Sequence, residues 1–565
     1  MLLPLLACLL IFPGIVLGIG WPLTARLALD PAEKFVTCIA LSLLGVFLFA
    51  WTVYVCALPV ATLRALPALA ATGLVLGRRS LITALQDAGA RALLAAQIIV
   101  SAWCIGWLAL VLSYSGGNWV ADWFGHMQRT WFFLEHWPRD ILFNGFDAMP
   151  SRPPLANIVN GAFLEITRQD FAHYQLCSTL LGSLAFLPAA LLAKRFGGGR
   201  AMAILAVLFM LNPMFVQNAT YAWTKLPTAF FVLTALYFFL RVHDADVPGS
   251  AGVLFSVSLA AGLLTHYSTG PYAVLFALAW LVLGWPRRRE PAWWRSTAYA
   301  ALAGGLVLAT WFGWALIVYG WHEAFLTNTT VTDQAPTAGA QLQVIALNLR
   351  DTFVPHFLRT ADFSMFAQRS LSGWWRDWFF QLYQVNFFFV FGCVAWAAIL
   401  AALAHGWHDT TARRRAFWAI FIAGTATLGV AVHGARDTWG LAHICMQPLV
   451  LLGLACLAAH WTALGRTWQR TLVAGATVDF LLGIALQFGV QRGALDHWLT
   501  PDRFVVNTLS CYSLAAQMNL NAKLQNHWAF VGDMFAPHAA LVSGLLGMLL
   551  LLAIIRAHRN RTMCP

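Results

Sequence analysis

Between residues 115 and 170 the sequence sets an aspartate, a histidine and an arginine at spacings that a single helix face can collect. Wound at about 100° per residue from Asp122, His126 falls at about 40°, Arg129 at about −20° and Phe133 at about 20°. Trp123, Met127, Trp131 and Leu134 gather between about 100° and 180°. An amphipathic helix is therefore expected, its Trp-rich face suited to a membrane interface and its polar stripe either carrying chemistry or simply facing water. In Ser151-Arg152-Pro153-Pro154-Leu155, the prolines remove two backbone donors and fix φ. Ser151 and Arg152 are both expected to be extended, leading into a second amphipathic helix near Ala156. A guanidinium held on such a stiff segment suits a phosphate oxyanion, although the motif also reads as a plain turn into a helix.

Other cations recur where apolar stretches end. Lys225, in TYAWTKLP, opens a helix, a place where the helix dipole disfavours a cation unless an anion compensates it; ordinary snorkelling is the rival reading. His266, in LLTHYSTGPY, lies beside Tyr267 and a Gly270-Pro271 turn, and as a lone histidine reads equally as a satisfied helix end. His433, Arg436, Asp437 and His443 surround one short turn, where Arg436 could face a phosphate or pair locally with Asp437.

The elements that must position these residues follow from composition. Of 565 residues, 60% are hydrophobic and 10% charged, against about 25% charged in an average soluble protein. This excludes a soluble enzyme, a disordered tail and a fibrous repeat. About fifteen apolar stretches remain after cutting at charged clusters, each near the roughly 20 residues of one crossing. The fold class expected is an all-α polytopic membrane protein. Short basic segments, among them Arg78-Arg79, Lys194-Arg195, Arg287-Arg288-Arg289 and Arg413-Arg414-Arg415, alternate with long loops at about 115–170, 320–382 and 491–537. The positive-inside rule makes the basic segments cytoplasmic and the long loops outward-facing. The net charge of +12 is then topology, with some affinity for membrane lipids, and no nucleic-acid partner is expected. The N-terminal apolar run lacks a basic n-region and reads as a first crossing. Eight of ten cysteines fall in apolar stretches and read as packing residues.

Taken in order, an apolar helix, an outer loop opening with an acidic residue on an amphipathic helix, the basic-Pro-Pro-Leu motif, a second interfacial helix and a run of crossings resemble the GT-C membrane glycosyltransferases. The likeness is to the branch of protein O-mannosyltransferases and bacterial aminoarabinose transferases. The segment NPMFVQNATYAWTKLPTAFFVLTALYFFLR adds to it. The resemblance implies a GT-C-like bundle of about 13–15 transmembrane helices, given about 20 residues each. N-terminal additional helices would occupy 1–91, a catalytic module 92–320 with its outer loop 115–170, a second outer loop 321–382, and C-terminal helices 383–565 with the loop 491–537. It also implies a polyprenyl-phosphate sugar donor and an acceptor lipid, glycan or protein. The site would face the periplasm across a bacterial inner membrane. Asp122 takes the family's acidic position and Arg152 the phosphate-binding one, with Lys225, Arg436, His126, Arg129 and His266 as further contacts. The family usually has Asp-Glu where this chain has Asp122-Trp123, and Lys where it has Arg152.

The chemistry fits those assignments. An attacking hydroxyl must lose a proton, which an aspartate in a semi-apolar pocket can take, and the departing phosphate gains charge that preorganised cations stabilise. No cofactor is required by the pattern. A divalent cation remains open, with Asp122, Asp140 and Asp147 as oxygen ligands or Asp122 and His126 sharing a metal at i, i+4. No Walker or Rossmann glycine pattern is present, which disfavours a nucleotide-sugar donor. The alternatives are a multi-helix transporter, for which no internal repeat is visible, and a ligase or polymerase of lipid-linked polysaccharide precursors.

Overall fold

The computed structural model describes residues 2–112, 121–143, 148–244, 250–326, 393–409, 411–432, 443–485 and 530–559, with a few positions between 339 and 346. Long apolar runs make α1 (Leu2–Gly18), α3 (Pro31–Val55), α4 (Leu66–Gln86) and α5 (Ala88–Leu108), with a single turn, α2 (Trp21–Thr24), between the first two. The polar residues between these runs act as stops and caps. Glu33 Oε2 accepts from the Asp30 backbone N–H at 2.9 Å ahead of α3, and Asp87 Oδ1 accepts from Ala90 N–H at 2.7 Å at the start of α5. Each satisfies a donor that a helix start would otherwise leave unpaired.

Two short helices follow, α6 (Ala121–Glu135) and α7 (Leu155–Ile166), close to the expected positions of the two amphipathic helices. Then come α8 (Phe171–Ser183) and α9 (Phe186–Gly197), which together form one 27-residue span, buried from Phe171 as far as Ala193. Next, α10 (Gly199–Met210) meets α11 (Pro213–Thr220) at a 70° bend. The crossing expected to begin near residue 201 is therefore broken. Asn212 Oδ1 caps α11 by accepting from Phe215 N–H at 2.9 Å, and Pro213 has no N–H with which to continue the preceding helix. The chain proceeds through α12 (Lys225–Val242), α13 (Ser250–Thr265), α14 (Gly270–Gly284) and the long α15 (Pro291–Phe325). Gly320, at φ +77°, kinks α15. The last helices are α16 (Cys393–Trp407), α17 (Ala412–Val432), α18 (His443–His460), α19 (Arg466–Ile484), α20 (Val531–Phe535) and α21 (Ala539–Arg559).

Among the described residues, nine helices are long and apolar enough to cross a membrane, ten with the bent pair, and four shorter apolar helices accompany them. No β-strand occurs among those residues. The chain is an all-α integral membrane protein. Leu10, Leu306, Ile317 and Met548 are more than half exposed, a distribution that water would penalise and lipid tails do not. α9, α10, α12 and α16 pack around α18 at the centre. The N-terminal helices share this core: α1 lies against α8, and α3 against α7 and α12. Glu33 of α3 accepts from Tyr237 Oη and pairs with Arg241 Nε at 3.0 Å.

Candidate active site

α6 is buried on both of its faces. Trp123 and Met127 pack inward, and so do His126 and Arg129, each only 2% exposed. The reading of a polar stripe facing water is therefore excluded for these two residues, because α7 and the Pro150 segment cover that side. His126 Nδ1 lies 3.2 Å from Asn157 Oδ1 on α7. Arg129 donates to Ser151 Oγ at 3.0 Å and to Gly125 O at 3.1 Å, and stands 4.4 Å over the Phe143 ring.

Arg152 is extended as expected, at φ −135° and ψ 134°. Ser151 is not, since it closes a single turn of 3-10 helix, Met149–Ser151. Only Arg152 directly precedes a proline ring, and that steric restriction acts on the immediate neighbour alone. Arg152 donates to Ser151 O at 3.2 Å and remains half-buried. α7 begins at Leu155, directly after the two prolines.

Lys225 is the first residue of α12 and is 5% exposed, which rules out snorkelling. Its Nζ lies 2.6 Å from His266 Nε2 and 5.1 Å from the centre of the Trp223 ring. His266 caps the short turn Tyr267–Thr269, its Nδ1 accepting from Ser268 N–H at 3.0 Å. The helix-end reading of this histidine is thus correct, and its other nitrogen still serves Lys225. Tyr267 Oη donates to Pro150 O at 2.8 Å. A continuous path of contacts therefore runs from Lys225 through His266 and Tyr267 to the Pro150–Arg152 segment, and on to Arg129.

The electrostatics report the same convergence. The pKa of His126 is held well below its ordinary value, first by burial and then by Arg129, Lys225 and Arg152. The ring is neutral near pH 7. Its Nε2, like Asn157 Nδ2, is buried without a hydrogen-bond partner among the described residues. An unmet buried polar atom costs about 1–3 kcal/mol, a cost that a ligand can relieve.

Asp122 lies in the first turn of α6, its backbone one helical turn before that of His126. Its side chain, and all of Arg436 and Asp147, lie outside the described residues. Asp140 sits exposed in a turn. No group of three or more His, Cys, Asp or Glu suited to a metal occurs among the described residues. The second outer loop is outside the described residues for most of its length. The end of the third reaches the site, with the Phe530 ring 5.0 Å from that of Phe171 and Phe171 4.7 Å from Trp123.

Four participants escape a reading of single residues: Ser151, Asn157, Trp223 and Tyr267. A signal existed for one of them. Asn157 and Asn160, three apart in a helix that is otherwise apolar as far as Leu164, mark a face that must find polar partners. Asn160 finds Ser178 at 3.1 Å. Nothing local distinguishes the other three.

The fold and the cation-rich site together define a polytopic membrane protein whose polar machinery gathers at one end of its central helices. Residues 151–314 match the family model of dolichyl-phosphate-mannose-protein mannosyltransferases. This match supports the resemblance to GT-C membrane glycosyltransferases. It begins one residue before Arg152 and includes Lys225 and His266, while Asp122 precedes it. Among solved structures, ArnT from Cupriavidus metallidurans in the apo state is similar at 17% identity and a TM-score of 0.35, over 71% of this chain and 76% of that one. The same protein bound to undecaprenyl phosphate is similar at 16% identity and a TM-score of 0.35, over 73% and 80%. No curated protein matches the chain.

Proposed function

We propose that this protein is a membrane glycosyltransferase that moves a sugar from a polyprenyl-phosphate carrier to an acceptor at the outer, periplasmic face of a bacterial inner membrane. The observation that carries this reading is the convergence of Arg129, Arg152, Lys225 and His266, from four separate segments, beside a neutral His126 with an unmet nitrogen. Like charges gathered in a partly buried place repel one another, and an anionic ligand offsets that cost.

In the proposed reaction Asp122 takes the proton of the acceptor hydroxyl as its oxygen bonds to the anomeric carbon. The bond from that carbon to the phosphate oxygen breaks, and its electron pair leaves with the carrier phosphate. Arg152 and Lys225 stabilise the charge that develops there. Arg129 acts through Ser151 to hold the Arg152 segment, and His266 positions Lys225. His126 and Asn157 offer their unpaired atoms to sugar or acceptor hydroxyls. Arg436 is proposed as a second phosphate contact.

The test is transfer from a panel of polyprenyl-phosphate sugars into membranes, comparing the native protein with Asp122→Asn and Arg152→Ala. Transfer should fall by at least about a hundredfold in each. Undiminished transfer by Asp122→Asn would remove that residue as the base, and undiminished transfer by Arg152→Ala would remove the phosphate assignment.

A further inference from the structure

α12 runs 18 residues from Lys225 to Val242, so its far end lies about 27 Å along the axis from the site just described. There, among the ends of α9, α12, α14, α16 and α17, a cavity of about 620 Å³ opens. Every segment that forms it belongs to the side on which the short basic loops lie.

The lining is divided by chemistry. Phe239 and Trp418 belong to an apolar wall, while Arg195, Arg413 and Arg414 supply guanidinium groups. The nearby carboxylates are already engaged. Asp244 accepts both terminal nitrogens of Arg195, at 2.8 and 2.7 Å, and Asp409 Oδ2 accepts from Trp418 Nε1 at 3.3 Å. Arg414 spends one N–H on His243 O at 3.0 Å. The Arg413 guanidinium makes no hydrogen bond or ion pair with any described residue. His243 registers the field this leaves: burial, then Arg414 and Arg287, push its pKa down to about 4 against the opposing pull of Asp244.

We propose that this cavity binds a phosphate mono- or diester group, held by Arg413 and Arg414, with the apolar wall receiving whatever chain the phosphate carries. Paired guanidiniums fit phosphate oxygens as forked donors. A basic pocket between helix ends at the cytoplasmic surface is placed to meet an anionic phospholipid headgroup, and a soluble phosphate ester offers the same group without the chain.

The full-length protein in detergent is titrated with fluorescent phosphatidylglycerol, with phosphatidylcholine as control and inorganic phosphate as competitor. Phosphatidylglycerol should bind at least about tenfold more tightly than phosphatidylcholine. Arg413→Gln should lose roughly tenfold, the value of one charge-assisted hydrogen bond. Arg413→Lys, which keeps the charge but not the forked donor, should recover only part of the loss. Displacement by millimolar inorganic phosphate identifies the headgroup alone as sufficient; binding that resists it identifies the lipid as the source. Arg413 is exposed, so its replacement leaves the fold intact, and sugar transfer by Arg413→Gln should be unchanged. Equal binding of the two lipids, or unaltered binding by Arg413→Gln, overturns the proposal.

Discussion

Lys225 Nζ and His266 Nε2 stand 2.6 Å apart, joining the first turn of α12 to the turn that leads into α14. His266 is in turn held by Ser268 N–H, so the position of the Lys225 charge is set from α14 as well as from its own helix.

Removing either partner should therefore impair transfer in different ways. Lys225→Gln deletes the charge and should lower turnover by about a hundredfold, the usual effect of losing one stabiliser of developing charge. His266→Ala keeps the charge but frees the side chain, and should cost about tenfold. Turnover with saturating polyprenyl-phosphate sugar separates the two. Equal, small effects from both would argue that the pair only packs.

Ser151→Ala should destabilise the protein by about 1.5–3 kcal/mol, since Ser151 Oγ accepts a hydrogen bond from the buried Arg129 guanidinium. Thermal unfolding in detergent reads this directly. An unchanged Tm would mean that Arg129 finds another acceptor at no cost.

The depressed pKa of His126 makes stability depend on pH. In the folded protein burial and the three neighbouring cations oppose protonation, whereas the unfolded chain binds a proton near the ordinary value of 6.5. Above pH 6.5 the ring is neutral in both states and contributes no slope. As pH falls below 6.5 the unfolded state gains the proton, and stability drops by up to about 1.4 kcal/mol per pH unit. Unfolding measured from pH 8 to 5 should show His126→Gln with a shallower acid loss than the native protein. Parallel pH profiles would contradict this.

Glu33→Ala should cost about 2–3 kcal/mol, less than the loss of a fully buried pair because Arg241 is partly exposed. Glu33 is 1% exposed and links α3 to the end of α12 through Tyr237 and Arg241. If Tm does not move, the first helices dock without this contact.

Much of the fold was legible from particular residues. Apolar runs bounded by Arg78-Arg79, Lys194-Arg195 and Arg413-Arg414-Arg415 announced helices in lipid, because no other open backbone arrangement satisfies its own hydrogen bonds there. The segments with short basic loops and those with the polar site residues sort to opposite ends of one helix. The segments carrying Arg195, His243 and Arg413 meet at one end of α12, and those carrying Lys225, His266 and Arg152 at the other. The extended geometry of Arg152 was legible too, since the restriction acts between chain neighbours. The interruption at Asn212-Pro213 was visible as a motif, but its 70° bend depends on where the packed neighbours direct α11.

The amino-acid sequence by itself determined that the chain crosses a membrane as helices, which loops share a side, and which residue types stand ready for a phosphate. These follow from hydropathy, charge and local sterics, all properties of short segments. Only the tertiary structure decided that the His126 and Arg129 stripe is buried, that Lys225 is held by His266, and that Tyr267 fastens both to the Pro150 segment. Those pairings join residues that are 41 and 117 positions apart. Nothing in a local pattern encodes which distant surface will cover a given helix face, because that choice is made by the packing of the whole bundle.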